Sequence, residues 1–480
     1  MKLYSLSVRC TLCQFARTGP NSAASMRSPY FPARSVLFHK EPNGVTYRVP
    51  ALLYLTRFRT FLAFCEERLS PSDSQAHLLV MRRGAFYRNY VEWEDMRVLG
   101  TAVLPGHRSM NPCPVFDEFT GTLFLFFIAV LGHTSESYQL VTGNNVTRLC
   151  CTSSTDGGHS WSPATDLTTT VVGETIKDWA TFALGPGHGV QLKSGRLLIP
   201  AYAYHIECRE CFGRLCQTTP RAFCFHSDTH GRSWRFGEAV PAPESVECQV
   251  ASVDEEDGTN VLYCNARSPL GHRVQALSLD DGAAFQEGQL VQRLVEPRNG
   301  CHGSIIGFPA PLHLCRTLPP RPAGRCRPWA SIVDPSRATH RSPSPCGAPP
   351  DFLTPTWVVY SHPTWATARR DLGVFLSPFP RDPDSWRGPW VIYEGPSAYS
   401  DLAYLELPPS PGGGVAVPSP PPAVAFACLF ECGAESAYDE ICFSLFTLYE
   451  LIDNLPESEA GRRRERPPVA KKTMKICSVS

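Results

Sequence analysis

Ser154-Thr155-Asp156-Gly157-Gly158-His159-Ser160-Trp161 decides the fold. Its pattern, S-x-D-x-G-x-S-W, describes a hairpin turn punctuated by Asp and Gly and closed by an aromatic plug. An Asp carboxylate bonds the backbone of its own turn, and Gly158 takes a positive φ without steric cost. The hydroxyl and the indole tie the turn to the strands it joins. One copy is an ordinary tight turn; repetition makes it an architecture. Ser227-Asp228-Thr229-His230-Gly231-Arg232-Ser233-Trp234 keeps the frame, with Thr229 where the Asp belongs. Ser278-Leu279-Asp280-Asp281-Gly282-Ala283-Ala284-Phe285 is a weaker third copy. One hairpin repeated at intervals of several tens of residues predicts the blades of an all-β propeller.

The chain around these turns agrees. Short apolar runs at Val49–Leu55, Phe61–Phe64, His77–Met81, Thr122–Leu131, Gly195–Tyr204, Val261–Cys264, Trp357–Ser361 and Ala423–Phe430 are separated by turn residues. Long helical periodicity is rare, so the runs read as strands. The predicted organisation is an N-terminal extension over residues 1–34, a propeller over 35–453 and a basic, disordered tail over 454–480. Pro-rich insertions are expected at about 314–355 and 407–422. The extension carries Lys2, Arg9, Arg17 and Arg27 and no acidic residue before Glu41, the composition of an organellar presequence or of a disordered leader.

Composition narrows the functional classes. Lys+Arg and Asp+Glu are both 45, so no excess of positive charge points to nucleic acid. No apolar run is long enough to span a bilayer, so any membrane contact is peripheral. The 20 cysteines are scattered through a long chain, which predicts reduced, buried thiols and not a disulfide scaffold. Cys208-x-x-Cys211 with Cys216 lacks a regular fourth ligand for zinc. Asn145-Val146-Thr147 is a glycosylation sequon only in a secretory lumen.

A second set of motifs is dispersed along the same span. It comprises Tyr47-Arg48-Val49-Pro50, Glu66-Glu67-Arg68 followed by Asp73, His107-Arg108-Ser109-Met110-Asn111-Pro112, Gly185-Pro186-Gly187-His188-Gly189 and Pro200-Ala201-Tyr202-Ala203-Tyr204. Further on come Glu247-Cys248-Gln249-Val250, Asn265-Ala266-Arg267-Ser268, Arg369-Arg370-Asp371-Leu372-Gly373 and Ala398-Tyr399-Ser400-Asp401-Leu402. Together with the repeated turns, which resemble Asp boxes, these motifs resemble the animal exo-α-sialidase family from about Ser35 to Leu451. Phe127–Thr134 and Ala266–Gly271 resemble its type-4 members.

The resemblance implies a six-bladed propeller and a retaining glycoside hydrolase acting on terminal sialic acids of gangliosides, glycoproteins and oligosaccharides. Sialic acid carries a carboxylate on its anomeric carbon, and a planar guanidinium grips a carboxylate through two parallel hydrogen bonds. By resemblance Arg48, Arg267 and Arg369 form that clamp, and Glu431 steadies the first arginine. The same carboxylate repels an anionic nucleophile, so a neutral tyrosine serves instead. The resemblance places Tyr399 as nucleophile, Glu247 as its base and Asp73 as the acid/base residue. Arg68, Asn111, Tyr202, Tyr204 and Glu136 match positions that contact the sugar. Family members generally show Gln where this chain has His302, whose protonation would add pH dependence.

The implied mechanism requires no cofactor and no metal. Expected partners are sialylated glycolipids and glycoproteins, with no nucleic acid; the oligomeric state is left open. Peripheral attachment to intracellular membranes is expected from the basic tail, Arg462 to Lys475, beside Cys477. A lysosomal, mitochondrial, reticular or cytoplasmic location fits the sequence. Two alternatives stand beside hydrolysis: a silent propeller that binds sialylated glycans, and a trans-sialidase.

Overall fold

Strand-forming runs are joined by short turns from Arg34 to Thr447, and the computed structural model arranges them as radially packed antiparallel sheets. It describes residues 30–87, 90–208, 216–255, 257–311, 314, 354–407 and 422–456. Residues 1–29, most of both Pro-rich insertions, Cys211, and the tail from 457 with Cys477 lie outside the described residues.

Strand β1 (Arg34–His39) stands apart in sequence from its sheet. The first sheet follows it: β2 (Thr46–Leu55), β3 (Thr60–Arg68), β4 (Ala76–Tyr87), β5 (Tyr90–Trp93) and β6 (Arg97–Val98). The second is β7 (His107–Asp117), β8 (Thr122–Leu131), β9 (Thr147–Ser154) and β10 (Thr165–Asp166), with helix α1 (Glu136–Thr142) inserted after β8. The third holds β11 (Trp179–Leu184), β12 (Val190–Gln191), β13 (Leu197–Cys208), β14 (Gln217–Ser227) and β15 (Arg235–Phe236). The fourth is β16 (Cys248–Asp254), β17 (Asn260–Ala266), β18 (His272–Ser278) and β19 (Gln289–Val295).

The remaining strands are β20 (Ser304–Pro309), β21 (Thr356–Pro363), β22 (Arg370–Ser377), β23 (Arg387–Leu407), β24 (Ala423–Cys432) and β25 (Glu440–Thr447), capped by helix α2 (Leu448–Asn454). They form one continuous seven-stranded sheet, because β23 pairs with β22 as far as Pro396 and with β24 from Ser397 on. Strand β1 completes that sheet by pairing with β25, Arg34 opposite Ser444 and His39 opposite Glu440.

Each sheet is covered on both faces by its neighbours, which is why its strands read as unbroken apolar runs instead of alternating ones. β8, TLFLFFIAVL, is buried at all but its two end residues. Leu62, Phe64 and Met81 of the first sheet pack on Leu123, Leu125 and Phe127 of the second. Phe126 and Ile128 of the second pack on Phe182, Ile199 and Phe225 of the third. Leu198 and Cys224 meet Val250, Leu262 and Cys264 of the fourth, whose Val253 and Tyr263 meet Ile305, Val358 and Tyr360. The circuit returns through Leu429 and Phe443, which pack on Leu52, Phe61 and Val80. β2 lies against both β7 and β23, so the ring closes.

The repeated turns hold these layers together. Asp156 accepts hydrogen bonds from the backbone N–H of His159 (3.0 Å) and Ser160 (2.9 Å) and from the hydroxyls of Ser154 (2.7 Å) and Ser160 (2.6 Å). These bonds hold its pKa far below the usual carboxylate range. Gly158 has φ +86° and donates to Ser154 Oγ. Thr229, in the second copy, reproduces one of the backbone bonds, accepting from Ser233 N at 2.8 Å. The plugs reach back to the preceding sheet: Trp161 meets Phe64 edge-on at 6.0 Å, and Trp234 meets Phe126 at 4.5 Å. Phe285 is buried in the cluster that holds Leu198. The described cysteines are free thiols, buried except Cys208 and Cys216.

Because Asp156 anchors two backbone groups and Thr229 only one, the two turns should differ in worth. Asp156→Ala is expected to lower stability by about 1–2 kcal/mol and Thr229→Ala by about half as much. Urea unfolding followed by tryptophan fluorescence measures both.

Candidate active site

Three irregularities turn backbone and side chains inward near the axis. The β2–β3 register slips between Arg48 and Ala51, β7–β8 between Met110 and Cys113, and β23–β24 between Ser397 and Ser400. Val49 (φ +59°) and Asn111 (φ +54°) sit within the first two breaks. A β-branched residue with positive φ is strained, so something must hold Val49 there. That something is Glu431, whose Oε1 accepts the Val49 N–H at 2.8 Å.

Glu431, on β24, is completely buried. It also accepts from Arg48 Nε (3.0 Å) and Nη2 (3.3 Å), and from the backbone N–H of Tyr399 (3.0 Å). One carboxylate thus fixes the first arginine and the tyrosine backbone together. The Arg48 guanidinium lies 3.9 Å from the ring centroid of Tyr438 and 5.4 Å from that of Tyr399.

Arg267 and Arg369 converge on the same ring. Arg267 Nη1 donates to Glu247 Oε2 (2.8 Å) and to the Tyr399 hydroxyl (3.2 Å), and Nη2 donates to the Asn299 carbonyl. Arg369 donates to the Gly300 carbonyl (3.0 and 3.2 Å) and to the Tyr438 hydroxyl (3.2 Å), with its guanidinium 5.2 Å from the Tyr399 ring. Its hydrogen bonds all go, among the described residues, to neutral acceptors. Among the described residues Arg369 has no acidic partner, so the cluster keeps unneutralised positive charge where the three guanidiniums meet.

Tyr399 is buried among them, and its hydroxyl donates to Glu247 Oε1. Burial first, and then the Glu247 charge, push its pKa well up; Arg267 and Arg369 oppose that shift without cancelling it. The phenol is therefore neutral at rest, with a base already in hydrogen-bond contact.

Asp73 occupies the opposite lip, 68% exposed, 2.5 Å from Arg68 Nη1 and 3.8 Å from Arg48 Nη1. Partial desolvation raises its pKa, but Arg68 and Arg48 outweigh this, and the net shift is downward. Arg68 is held by buried Glu66 (Nε 2.7 Å), which also accepts the Asn111 N–H at 2.7 Å. Asn111 Nδ2 donates to the Leu184 carbonyl at 3.4 Å, linking this lip to the third sheet.

The remaining candidates form the far wall. Tyr202 and Tyr204 project from one face of β13, edge to face at 6.1 Å. Burial, followed by Glu136, raises both phenol pKa values. Glu136 begins α1 on the exposed rim, yet it is hemmed in by protein. That crowding, together with Glu247 and Asp73, raises its pKa to about 7 against the pull of Arg267. His302 lies 5.5 Å from the Tyr399 ring, fully buried, and neither ring nitrogen has a partner among the described residues. Burial, with Arg273 and His362, lowers its pKa well below the usual imidazole value, so the expected pH dependence does not arise from its protonation.

The residues singled out from the sequence are therefore gathered into one cluster around Tyr399 and Asp73. Tyr438 and Glu66 were not singled out. Glu66 stood within a recognised motif, whereas Tyr438 lies in a turn, Ser436-Ala437-Tyr438-Asp439, with no pattern of its own. One cluster among the described residues, Cys432, Glu440 and Cys442, has ligand atoms close enough for a metal.

Residues 59–307 match the family described as BNR repeat-like domain. The chain is 49% identical to human Sialidase-4 over 90% of its length and 96% of the relative's. It is 43% identical to bovine Sialidase-3 over 88% of its length and 94% of the relative's. Among solved structures, Hadza microbial sialidase Hz136 superposes with TM-score 0.61 at 20% identity, covering 87% of this chain and 69% of that one. Trypanosoma rangeli sialidase in complex with 2,3-difluorosialic acid, described as a covalent intermediate, gives TM-score 0.55 at 13% identity. That match covers 88% of this chain and 59% of the other. The structural likenesses establish the fold.

Removing Glu431 leaves buried Arg48 with only the exposed Asp73 carboxylate, 3.8 Å away, as counter-charge and orphans two backbone donors. Glu431→Ala is expected to cost about 3–5 kcal/mol, and Glu431→Gln less, because an amide oxygen still accepts. Urea unfolding midpoints of the two variants check this order.

Proposed function

The chain belongs to the animal sialidase family and is a sialidase; within that frame we propose a retaining exo-α-sialidase in which Tyr399 is the nucleophile. It is more similar to type-4 members (49%) than to type-3 members (43%). The observation that carries the mechanism is the Tyr399–Glu247 hydrogen bond beneath three converging guanidiniums.

In this reading a terminal sialic acid docks its carboxylate on Arg48, Arg267 and Arg369, and Arg369 supplies the charge no protein carboxylate neutralises. A free phenol of pKa near 10 costs about 4 kcal/mol to ionise at pH 7, and burial makes Tyr399 harder still. Glu247 must therefore accept the proton as the Tyr399 oxygen attacks the anomeric carbon. Asp73 protonates the departing glycosidic oxygen, then activates water to break the tyrosyl–sugar bond; two displacements retain configuration. Bound substrate carboxylate offsets the arginine charge that depresses the Asp73 pKa, which makes the acid form accessible during turnover. Arg68 and Asn111 orient the ring, and Tyr202, Tyr204 and Glu136 enclose its side arms, with His302 buried beside Tyr399.

The proposed architecture is a six-bladed propeller. The two halves of β23 then count as strands of different blades, and six apolar clusters lie between neighbouring blades. Proposed substrates are sialylated glycolipids, glycoproteins and oligosaccharides. Among the described residues no helix is long and apolar enough to cross a membrane. Peripheral attachment to intracellular membranes remains a proposal that rests on the basic tail beside Cys477.

Tyr399→Phe removes the attacking oxygen and leaves the clamp. It is expected to lose at least about 10³-fold in turnover of a fluorogenic sialoside, with unchanged affinity for the analogue 2-deoxy-2,3-didehydro-N-acetylneuraminic acid. Wild-type-like turnover would exclude Tyr399 as nucleophile, and an inverted first product, read by proton NMR, would exclude the two-step route.

Glu136 generates a pH prediction. Its carboxyl is neutral below about pH 7 and charged above, where it faces an anionic sugar. KM for the sialoside should therefore rise between pH 6 and 8 in the wild type, and Glu136→Gln should flatten that rise.

A further inference from the structure

The turn between β24 and β25, residues 433–439, carries Tyr438 to the Arg48 and Arg369 guanidiniums. Three side chains with metal-binding atoms bracket it. Cys432 ends β24, Glu440 opens β25 directly opposite it, and Cys442 follows on the same face of β25. Their ligand atoms all lie within 4.8 Å of one another. Cys432 Sγ donates to Cys442 Sγ at 3.0 Å, and Cys442 Sγ donates to Glu440 Oε2 at 3.6 Å. Both thiols are fully buried and Glu440 is half-buried, so the carboxylate side is the way in. The turn itself is fixed: Asp439 Oδ2 accepts the Ser436 N–H at 2.9 Å, and the Tyr393 hydroxyl donates to the Gly433 carbonyl at 2.9 Å.

We propose that Cys432, Cys442 and Glu440 form a zinc site, with His39 as its fourth ligand. His39 stands directly opposite Glu440 in the β1–β25 pair, so one row of the sheet reads His39, Glu440, Cys432. It is exposed and makes no hydrogen bond or ion pair among the described residues. Opposite residues share a face with Cβ atoms about 5 Å apart, which brings the imidazole within reach of a metal on Glu440. Two sulfurs, one nitrogen and one carboxylate select zinc over calcium or magnesium, which take oxygen ligands.

Geometry and charge agree with that ion. Tetrahedral zinc, with Zn–S about 2.3 Å and Zn–O about 2.1 Å, sets sulfur and oxygen about 3.6 Å apart. The Cys442–Glu440 separation already has that value, and binding need only spread the two sulfurs. Zinc replaces the two shared protons: both thiols ionise, two protons leave, and two thiolates and one carboxylate face the doubly charged ion. Arg34 is close enough to act on Cys432 and balances the remaining negative charge; its guanidinium lies 4.8 Å from the Tyr393 ring. A disulfide between the two thiols would make no use of the carboxylate. With four protein ligands the site is structural, and it ties β1 to β24 and β25.

The test uses full-length protein, kept reduced, stripped with a chelator and then given zinc alone. Wild type should bind zinc, and cobalt(II) in its place should show a sulfur-to-metal charge-transfer band. Zinc at about a hundredfold above Kd should raise Tm by about 3 °C. The double variant Cys432→Ser, Cys442→Ser should lose one equivalent of metal, the band and the Tm rise. Because that variant alters buried positions, His39→Ala and Glu440→Gln repeat the test at less buried ones. Each should weaken zinc binding at least about tenfold, since even a residue that only orients a ligand is worth about 10- to 100-fold. Equal zinc uptake by wild type and the cysteine double variant overturns the site, because other thiols then hold the metal. Unchanged affinity in both His39→Ala and Glu440→Gln overturns it as well. So does a wild type that takes up no zinc, or whose peptide mass spectrum shows Cys432 joined to Cys442.

Discussion

The structure depends on one buried carboxylate. Glu431 accepts four hydrogen bonds, from Arg48 twice, from the strained Val49 backbone and from the Tyr399 backbone. Those partners come from β2 and β23, while Glu431 itself belongs to β24, so three strands meet at a single side chain. A charge fully removed from water persists only when it is paired and its remaining acceptor sites are filled, and here both conditions hold. The strain at Val49 is the visible cost of that arrangement, and it aims Arg48 at the axis.

The surrounding electrostatics follow a graded order. Arg48 faces Glu431, Arg267 faces Glu247, and Arg369 faces only carbonyl and hydroxyl oxygens. Among the described residues two of the three cations are ion-paired and Arg369 is not; in the proposed reading that third charge meets the substrate carboxylate. Glu247 serves two neighbours at once, Arg267 through one oxygen and the Tyr399 hydroxyl through the other. Contact with a guanidinium thus holds the Glu247 carboxylate against the Tyr399 hydroxyl, the position the proposed mechanism asks of its base.

Much of this was legible in the sequence, for physical reasons. Turn chemistry is local, so Ser154–Trp161 announced a hairpin with its Asp and Gly in place, and even the Thr229 copy kept one bond of the pattern. Apolar runs such as Thr122–Leu131 reported strands buried on both faces. The thirteen candidate site residues could be grouped because the chain resembles a known family; spacing alone, with Arg48 and Glu431 separated by most of the chain, could not have joined them. What escaped was non-local or irregular. Tyr438 matters only because folding brings it against Arg48. The pairing of β1 with β25 leaves no mark on either segment, and the change of partner within β23 is invisible in a run of strand-forming residues. Neutral His302 also depended on burial, which a lone histidine in a sequence does not disclose.

The pairing of β1 with β25 has a consequence for the order in which the molecule is made. Synthesis releases Arg34–His39 and Arg48 long before Glu431 and Glu440–Thr447. Until then β1 lacks its pairing partner, and Arg48 of the first sheet lacks its buried counter-charge. The earlier sheets can stack as they emerge, but the ring cannot shut, nor Arg48 be neutralised, until the last strands leave the ribosome. Closure and assembly of the catalytic centre are a single late event. An interrupted chain thus carries many of the site's side chains yet no assembled site, so under the proposed mechanism partly made molecules would be inert toward sialylated sugars.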